Sequence, residues 1–290
     1  MNKILAATDG SEHGLAAVVT GAGCAERLGG TLELVTVVEV LLLPPAYAPP
    51  GLEPSDFEPD IVTDARARVE EQAKQAGVEG ATVHVRSGFA APLIARTAEE
   101  EGADLLVVGA YQEPSIARTL VGSTAERVLR LAHVPVLVAS QPRDGAFRRV
   151  LAAIDLSRQS RQVLETARAI AEADHADLRV LYVLEPLPMM LLEAAVYNES
   201  EHRRHAREQM ESILEDAGLM SGTAVEARMR EGESGHEILE ETQDWDADLI
   251  VMGTHGFGFF DRLLVGSTSL YVLRHGHRAT LIVPPPAREE

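Results

Sequence analysis

The chain has 290 residues, of which 46% are hydrophobic and 24% charged, so it has the composition of a globular protein of about two domains. Its 26 basic and 45 acidic residues give a net charge of −19, which argues against duplex nucleic acid or an anionic membrane surface as a partner. Its one cysteine, Cys24, excludes a disulfide framework and a cysteine-built metal site. Because the sequence has no signal-peptide pattern and no apolar stretch near the ~18 residues of a membrane span, we expect a cytoplasmic protein.

The first half of the chain alternates short apolar runs with amphipathic stretches. Strands are predicted at residues 3–8, 31–38, 81–86, 105–108 and 134–138. A first helix is predicted between Ser11, whose side chain can cap it, and Gly29-Gly30, which end it, and further helices are predicted at residues 65–76, 93–101 and 124–131. Strands that are apolar throughout and separated by helices indicate a parallel sheet that is covered on both faces.

The second half repeats the first. Residues 4–11 (Ile-Leu-Ala-Ala-Thr-Asp-Gly-Ser) align with residues 150–157 (Val-Leu-Ala-Ala-Ile-Asp-Leu-Ser), and residues 104–109 (Asp-Leu-Leu-Val-Val-Gly) align with residues 248–253. The predicted fold class is therefore α/β, with two repeated doubly wound domains at 1–142 and 147–290. Each domain is expected to hold a five-stranded parallel sheet with helices on both faces, and ligands of such sheets bind at the carboxyl ends of the strands.

A glycine pattern in the second copy lies at those strand ends. It reads G-x2-G-x9-G-S and consists of Gly253, Gly256, Gly266 and Ser267. The first glycine closes a predicted strand, and the last opens a predicted helix with Ser267 and Thr268. Glycines let the backbone approach an anion closely, and the N–H groups at a helix N-terminus attract it. The pattern therefore predicts a phosphate site that needs no charged side chain.

These segments resemble the universal stress proteins, and the chain looks like two such domains in tandem. Its Gly-Ser-Thr helix starts and the two repeated strand motifs carry the resemblance. Members of that family with the complete glycine pattern bind ATP, so the resemblance implies ATP in the second copy, with Mg²⁺ accompanying the triphosphate. The implied binding residues are Ala153, Ile154, Asp155, Val183, Met252, Gly253, Gly256, Gly266, Ser267 and Thr268. By resemblance, Asp155 contacts the adenine or ribose, and Val183 and Met252 lie near the base.

The first copy departs from the pattern, because Gln112 stands where the middle glycine is expected. The matching residues there are Ala7, Thr8, Asp9, Val37, Val108, Gly109, Gly122, Ser123 and Thr124. Gln112 removes backbone freedom and adds bulk near the expected phosphates. Weak ATP binding, a shorter ligand and no ligand at all remain open for this copy.

The expected function is that of an ATP-binding stress-response or regulatory module in which the nucleotide sets conformation or assembly. No catalytic constellation is present in the sequence, so at most slow ATP hydrolysis or self-phosphorylation is expected. The resemblance implies that the two copies pair through their last strands, at 134–138 and 280–283, and a homodimer is expected as well. The alternative is a nucleotide-independent protein–protein interaction module, with the proline-rich connection 41–60 and the methionine-rich connection 186–198 as its surface.

Several single residues allow two interpretations. Asp9 and Asp155 can cap the turns that follow them instead of, or as well as, binding a ligand. His202 and His205 have a spacing that suits either a metal site or a solvated helix face. Cys24 lies on the first predicted helix among alanines, which favours a small core residue over a reactive thiol.

Overall fold

A computed structural model describes residues 1–39, 58–112, 119–120, 122–186, 199–219, 225–254 and 265–286 of the chain. Two units are distinct in it. Unit 1 consists of residues 1–112 and 120–145, and unit 2 of residues 113–119 and 146–290. Of the predicted connections 41–60 and 186–198, only residues 58–60 and residue 186 are described, so a role of these connections as a surface lies outside the described residues.

Unit 1 contains a five-stranded parallel sheet, as predicted. Its strands are β1 (Lys3–Ala7), β2 (Thr31–Val38), β3 (Thr82–Ser87), β4 (Leu105–Gly109) and β7 (Val136–Ala139), in the order β7-β4-β1-β2-β3. Two short strands, β5 (Tyr111–Gln112) and β6 (Thr119–Leu120), follow β4 in the chain. The helices are α1 (Glu12–Leu28), α2 (Glu58–Gln75), α3 (Ala90–Glu100) and α4 (Ser123–Leu131).

Unit 2 repeats this topology. Its strands are β8 (Arg149–Ile154), β9 (Asp177–Leu184), β10 (Val225–Glu231), β11 (Leu249–Gly253) and β12 (Ala279–Val283), all parallel in the order β10-β9-β8-β11-β12. Its described helices are α5 (Gln159–Asp174), α6 (Glu199–Asp216), α7 (Ser234–Asp244) and α8 (Ser267–His275). The predicted fold class of two doubly wound α/β domains is confirmed.

The direction in which each sheet is built places its helices on two faces. From β1 the chain moves outward to β2 and β3, and it then returns to the other side of β1 for β4 and β7. Right-handed crossovers therefore put α1 and α2 on one face and α3 and α4 on the other. The observed contacts between α1 and α2 and between α3 and α4 agree with this arrangement. In doubly wound sheets, ligands bind where the strand order reverses, which is beside β1 in unit 1 and beside β8 in unit 2.

The apolar runs of the sequence form the cores of the units. The largest fully buried side chains of unit 1 are Ile4, Leu5, Leu34, Leu105, Leu106 and Leu137. Those of unit 2 are Phe147, Leu151, Leu164, Leu181, Leu214 and Leu249. Most of these residues lie in strands, as expected for parallel strands that are covered on both faces. Cys24 is buried in α1, which agrees with the small core residue that the sequence favours.

Helix α1 begins and ends where the sequence predicts. The Ser11 side chain accepts a hydrogen bond from the Gly14 backbone N–H at 3.2 Å and so caps the first turn. Gly29 follows the last helical residue with a φ of +66°, a left-handed conformation that glycine adopts without strain.

Helix α2 is longer than predicted, because it begins at Glu58 and not at Ala65. Ala65, Val69 and Ala73 are buried at a spacing of four residues, so the predicted part of the helix packs one apolar face against the rest of unit 1. The preceding turn buries no such stripe, and it contains Pro59, a residue that the first turn of a helix accepts readily.

A charged cluster fixes one edge of the unit 1 sheet. Glu33 on β2 contacts Lys3 Nζ at 3.0 Å through Oε1 and His84 Nε2 at 2.7 Å through Oε2. On its other side the His84 ring places Nδ1 3.5 Å from Glu101 Oε1. Burial alone would raise the pKa of the Glu33 carboxyl, but the hydrogen bonds from His84 and Lys3 outweigh it, so this pKa lies below its ordinary value.

We expect the stability of unit 1 to fall in acid through Glu33. A carboxyl whose pKa is lowered by folding stabilises the protein above its ordinary pKa of 4.5, and this stabilisation is lost as the pH falls through the lowered value. Glu33→Gln should therefore lower the free energy of unfolding by about 1 kcal/mol near neutral pH and have little effect at about pH 3. Urea unfolding followed by hydrogen exchange of β2 across this range measures the difference.

Glu70→Gln serves as the control, because Glu70 is 58% exposed and lies 4.0 Å from Arg66 in an ordinary surface pair. If both variants changed the free energy of unfolding equally at every pH, the role given to Glu33 would be wrong.

Candidate functional site

A cavity of about 660 Å³ lies at the carboxyl edge of the unit 2 sheet. Strands β8, β9 and β11 end at it, and the first turns of α5, α6, α7 and α8 contribute to its walls. Nine of the ten residues predicted to bind the ligand line it, namely Ala153, Ile154, Asp155, Val183, Met252, Gly253, Gly266, Ser267 and Thr268. The tenth, Gly256, lies outside the described residues.

The N-terminus of α8 forms one wall of the cavity. Its N-cap is Gly266, with φ −60° and ψ 154°, which has no side chain to accept hydrogen bonds from the first helical turn. The Gly266 N–H donates to the Thr254 carbonyl oxygen at 2.6 Å, and the Ser269 hydroxyl donates to the Gly253 carbonyl oxygen at 2.8 Å. These bonds hold the start of α8 against the end of β11. The first-turn N–H groups and the helix dipole there favour an anion.

Asp155, directly after β8, has one carboxylate oxygen in use and one without a partner. Its Oδ1 accepts hydrogen bonds from the Ser157 backbone N–H and the Ser160 hydroxyl, both at 3.0 Å. Its Oδ2 is buried and has no hydrogen-bond partner among the described residues. Asp155 therefore does cap the following turn, and it also keeps a buried acceptor in a cavity-lining side chain. Leaving a buried acceptor unpaired is unfavourable, so a ligand with a donor group would be stabilised here.

The described residues of the cavity wall carry negative charge. Besides Asp155, Glu185 lines the cavity, and its carboxylate accepts from the Ser234 hydroxyl at 2.6 Å. Burial raises the pKa of the Tyr182 phenol above its ordinary value, and the charges of Asp155 and Glu185 raise it further. Among the described lining residues there is no lysine or arginine. Among these described residues, the groups that favour an anionic ligand are the backbone N–H groups at the start of α8.

The corresponding turn in unit 1 is held by a side chain from α2. The Thr8 hydroxyl donates to Gln72 Oε1 at 2.6 Å, and Gln72 Nε2 donates to the Ser11 carbonyl oxygen at 2.5 Å. Both Thr8 and Gln72 are buried. The repeat aligns Thr8 with Ile154, which lines the cavity in unit 2. In unit 1 the chain thus supplies its own hydrogen-bonding group beside the end of β1.

The other residues of unit 1 that match the predicted binding residues lie at strand ends and at a helix start. Ala7, Val37, Val108 and Gly109 are in β1, β2 and β4, and Gly122 is the N-cap of α4, which Ser123 and Thr124 begin. The φ of −58° and ψ of 151° at Gly122 nearly equal those of Gly266. Asp9 is exposed and accepts from the Ser11 N–H at 2.9 Å, which is the turn-capping role. Gln112 lies in β5, and its side chain is outside what is described.

Sequence reasoning missed several residues of the unit 2 cavity. They include Gln159, Tyr182, Glu185, His202 and Ser234. Glu185 could have been found from its place just after a strand, as Asp155 was. Gln159, His202 and Ser234 lie in helices whose approach to the cavity depends on packing that no local pattern records, and Tyr182 lies in β9 next to the predicted Val183.

The metal interpretation of the two α6 histidines gains no support. Among the described residues, the groups that bring three possible ligand atoms within 4.8 Å of one another are Glu33, His84 and Glu101 and, on α7, His236, Glu237 and Glu240. Neither group contains His202 or His205. No helix among the described residues combines the length and hydropathy needed to cross a membrane.

Two doubly wound α/β units, one of which carries a cavity at its strand ends, place the chain in the class of open, doubly wound α/β proteins. The model of the universal stress protein family matches residues 1–140 and again residues 146–284. The chain belongs to the universal stress protein family and contains two of its domains.

Individual relatives agree with this assignment. A universal stress protein of Synechocystis is 30% identical over 151 residues, which span 47% of this chain and 97% of that protein. One from Thermus aquaticus is 33% identical over 138 residues, spanning 47% of this chain and 98% of that protein. Among solved structures, a universal stress protein from Archaeoglobus fulgidus superposes with a TM-score of 0.72 at 20% identity and covers 98% of both chains, which shows a shared fold.

Proposed function

We propose that unit 2 binds ATP in the cavity at the ends of β8, β9 and β11, and that the nucleotide sets the conformation or assembly of a stress-response module. The observation that carries this proposal is that nine of the ten predicted binding residues, from strands and helices, line one cavity. That cavity combines a helix N-terminus with a buried, unpaired carboxylate oxygen of Asp155. A nucleotide has the matching features, with phosphates at one end and donor groups on its sugar and base.

Each part of the nucleotide has a suitable wall in this proposal. The phosphates would accept from the N–H groups at the start of α8, where Ser267 and Thr268 also offer hydroxyls. A sugar hydroxyl or a base amino group would donate to Asp155 Oδ2. Val183 and Met252, which are 7% and 4% exposed, offer apolar contact to the base. Mg²⁺ on the triphosphate would offset its charge beside the carboxylates of Asp155 and Glu185.

A reciprocal exchange of one residue tests the proposal. Mass spectrometry of the heat-denatured protein should find about one ATP per chain, and calorimetric titration should show that Gly256→Gln weakens ATP binding at least about tenfold. Gln112→Gly, the reverse exchange in unit 1, should leave the unit 2 site intact. It also shows whether the missing glycine alone prevents unit 1 from binding ATP. The absence of bound nucleotide and of binding heat at millimolar ATP would overturn the proposal and favour an interaction module.

We also propose that the two units pair through β7 and β12 and that the chain forms a homodimer. The support is that each of these apolar strands stands last in the order of its own unit, where a strand without a partner would leave backbone groups free for pairing. Pairing predicts slow hydrogen exchange at every amide of both strands, whereas an open edge would exchange quickly at alternate amides. Sedimentation of the full chain tests the homodimer.

A further inference from the structure

Two buried polar side chains, those of Gln159 and Thr254, connect the unit 2 cavity with the end of β12. Gln159 is the first residue of α5, lines the cavity and is 8% exposed. Its Nε2 donates to the carbonyl oxygen of Val283, the last residue of β12, at 2.6 Å and to Thr254 Oγ1 at 3.3 Å. Thr254, which directly follows β11, is 5% exposed. Because a buried amide is stable only when it is hydrogen-bonded, these two contacts fix the position of the Gln159 side chain.

Thr254 also holds the start of α8, where the proposed phosphate contacts lie. Its carbonyl oxygen accepts from the N–H of Gly266, the N-cap of α8, at 2.6 Å, and its own N–H donates to the Val283 carbonyl oxygen at 3.2 Å. One residue thus contacts the N-cap of α8 and the end of β12 at the same time. An opening that separates Thr254 from Val283 therefore also displaces the residue that holds the start of α8.

Unit 1 has the backbone part of this arrangement without the side-chain part. The repeat places Ala110 where Thr254 stands, and the Ala110 N–H donates to the carbonyl oxygen of Ala139, the last residue of β7, at 2.9 Å. Alanine has no hydroxyl, and His13 stands in the place of Gln159. The fold is therefore formed without the two polar side chains that unit 2 buries here. Because burying polar groups costs free energy, their presence in unit 2 suits a functional role.

We infer that Gln159 and Thr254 are positioning residues that couple occupancy of the proposed nucleotide site to the end of β12. The inference rests on the proposed function and adds a route by which the nucleotide acts. Phosphates bound at the first turn of α8 stabilise the state in which Gly266, Thr254 and Val283 are joined, so β12 opens less often. Since β12 is the strand proposed above to pair with β7, this contact connects the ligand with assembly.

Residue-resolved hydrogen exchange of the full chain, with and without ATP, tests this inference. Calorimetric titration of each protein first gives the ATP concentration that saturates it. In wild type, ATP should slow exchange of the Thr254 amide at least about tenfold, because a ligand in large excess over its Kd suppresses openings that break its site. The Ala110 amide makes the corresponding bond in unit 1 and should not slow. In Thr254→Val, which keeps the side-chain shape and removes the hydroxyl, the amide of residue 254 should slow less than about threefold.

A second variant and a matched control make the result specific. Gln159→Met removes both side-chain bonds of the amide and should lose the ATP-induced slowing as Thr254→Val does. Thr242→Val is the control, since Thr242 is 3% exposed, does not line the cavity and donates to the Ile238 carbonyl oxygen within its own helix at 2.7 Å. It should keep the wild-type slowing.

The possible failures of the inference and of the proposed function are distinguishable. If ATP binds to wild type without slowing the Thr254 amide, or slows it equally in Thr254→Val or Gln159→Met, the inference is wrong and the proposed function stands. Equal slowing of the Ala110 amide would also contradict the inference, because unit 1 has no such side-chain contact to Ala110. If wild type shows no binding heat with ATP, both are wrong.

Discussion

Replacing Arg179 with methionine is expected to lower the free energy of unfolding of unit 2 by about 3 kcal/mol. Arg179 lies on β9 with 8% of its surface exposed. Its Nη1 contacts Glu241 Oε1 at 2.6 Å, and its Nε donates to Glu226 Oε2 at 3.1 Å. Its guanidinium carbon lies 4.2 Å from the ring centre of Trp245. Methionine fills much of the volume but leaves both carboxylates without this partner.

The size of the effect follows from which partners remain. Glu241 is 5% exposed, so its charge cannot be solvated when Arg179 is removed. It keeps one contact, to Arg230 Nη1 at 2.9 Å, which places the expected loss at the lower end of the range of about 3–5 kcal/mol for breaking a buried pair. Arg179→Lys should fall between wild type and methionine, because an ammonium cannot bind two carboxylates in the planar geometry of a guanidinium.

Trp245 makes this measurement specific to unit 2. It is the only tryptophan in the chain, and Arg179 packs on its ring, so its fluorescence in urea reports unfolding of this unit alone. Arg228→Met is the matched control, since Arg228 pairs with the same Glu226 at 3.3 Å but is 55% exposed. It should change stability by less than about 1 kcal/mol. Equal losses of unfolding free energy in Arg179→Met and Arg228→Met would mean that burial of the ion pair does not determine how much it stabilises unit 2.

The fold could be predicted because the signals for parallel strands are local and repeated. Continuous apolar runs such as residues 105–108 can only be covered on both faces, and the second copy shows each run again at the same spacing. The bounds of helix α1 could also be predicted, because Ser11 and Gly29 cap the helix through contacts with their own neighbours in the chain. The start of α2 could not be predicted, since its first turn has no buried apolar stripe.

The candidate site could be predicted only where it follows strand ends. Asp155 and Gly253 were found because the carboxyl ends of parallel strands meet at one edge. The hydrogen bond between Glu185 and Ser234 joins residues 49 positions apart, and the bond between Thr8 and Gln72 joins residues 64 positions apart. Such contacts depend on how helices pack on the sheet, which no local pattern in one sequence contains.

Gly109→Ala is expected to destabilise unit 1 by about 3 kcal/mol, because the new methyl group would meet backbone. Gly109 and Gly253 close β4 and β11 at equivalent positions of the repeat. A Cβ on Gly109 would lie 2.5 Å from the carbonyl oxygen of His13 in α1, which cannot move without moving the helix. A Cβ on Gly253 would lie 2.8 Å from the side chain of Gln159, which can rotate away.

The two positions should therefore respond differently to the same change. In unit 2 the displaced Gln159 loses its hydrogen bonds to the Val283 carbonyl oxygen at 2.6 Å and to Thr254 Oγ1 at 3.3 Å, so Gly253→Ala should lower stability by about 1–2 kcal/mol. In a Gln159→Ala background the further change Gly253→Ala should have little effect. No single side-chain truncation can rescue Gly109→Ala, because its obstacle is a main-chain carbonyl.

Hydrogen exchange of β1 and β4 reports unit 1, and the fluorescence of Trp245 reports unit 2. Gly80→Ala is the control, since a Cβ on Gly80 meets nothing within 4 Å. It should change stability by no more than about 0.5 kcal/mol. Equal losses in Gly109→Ala and Gly253→Ala would contradict the distinction between backbone and side-chain obstacles. If the distinction holds, the first glycine of the G-x2-G-x9-G-S pattern is required by packing of the first helix as well as by any ligand, and its presence in unit 1 is no evidence of nucleotide binding there.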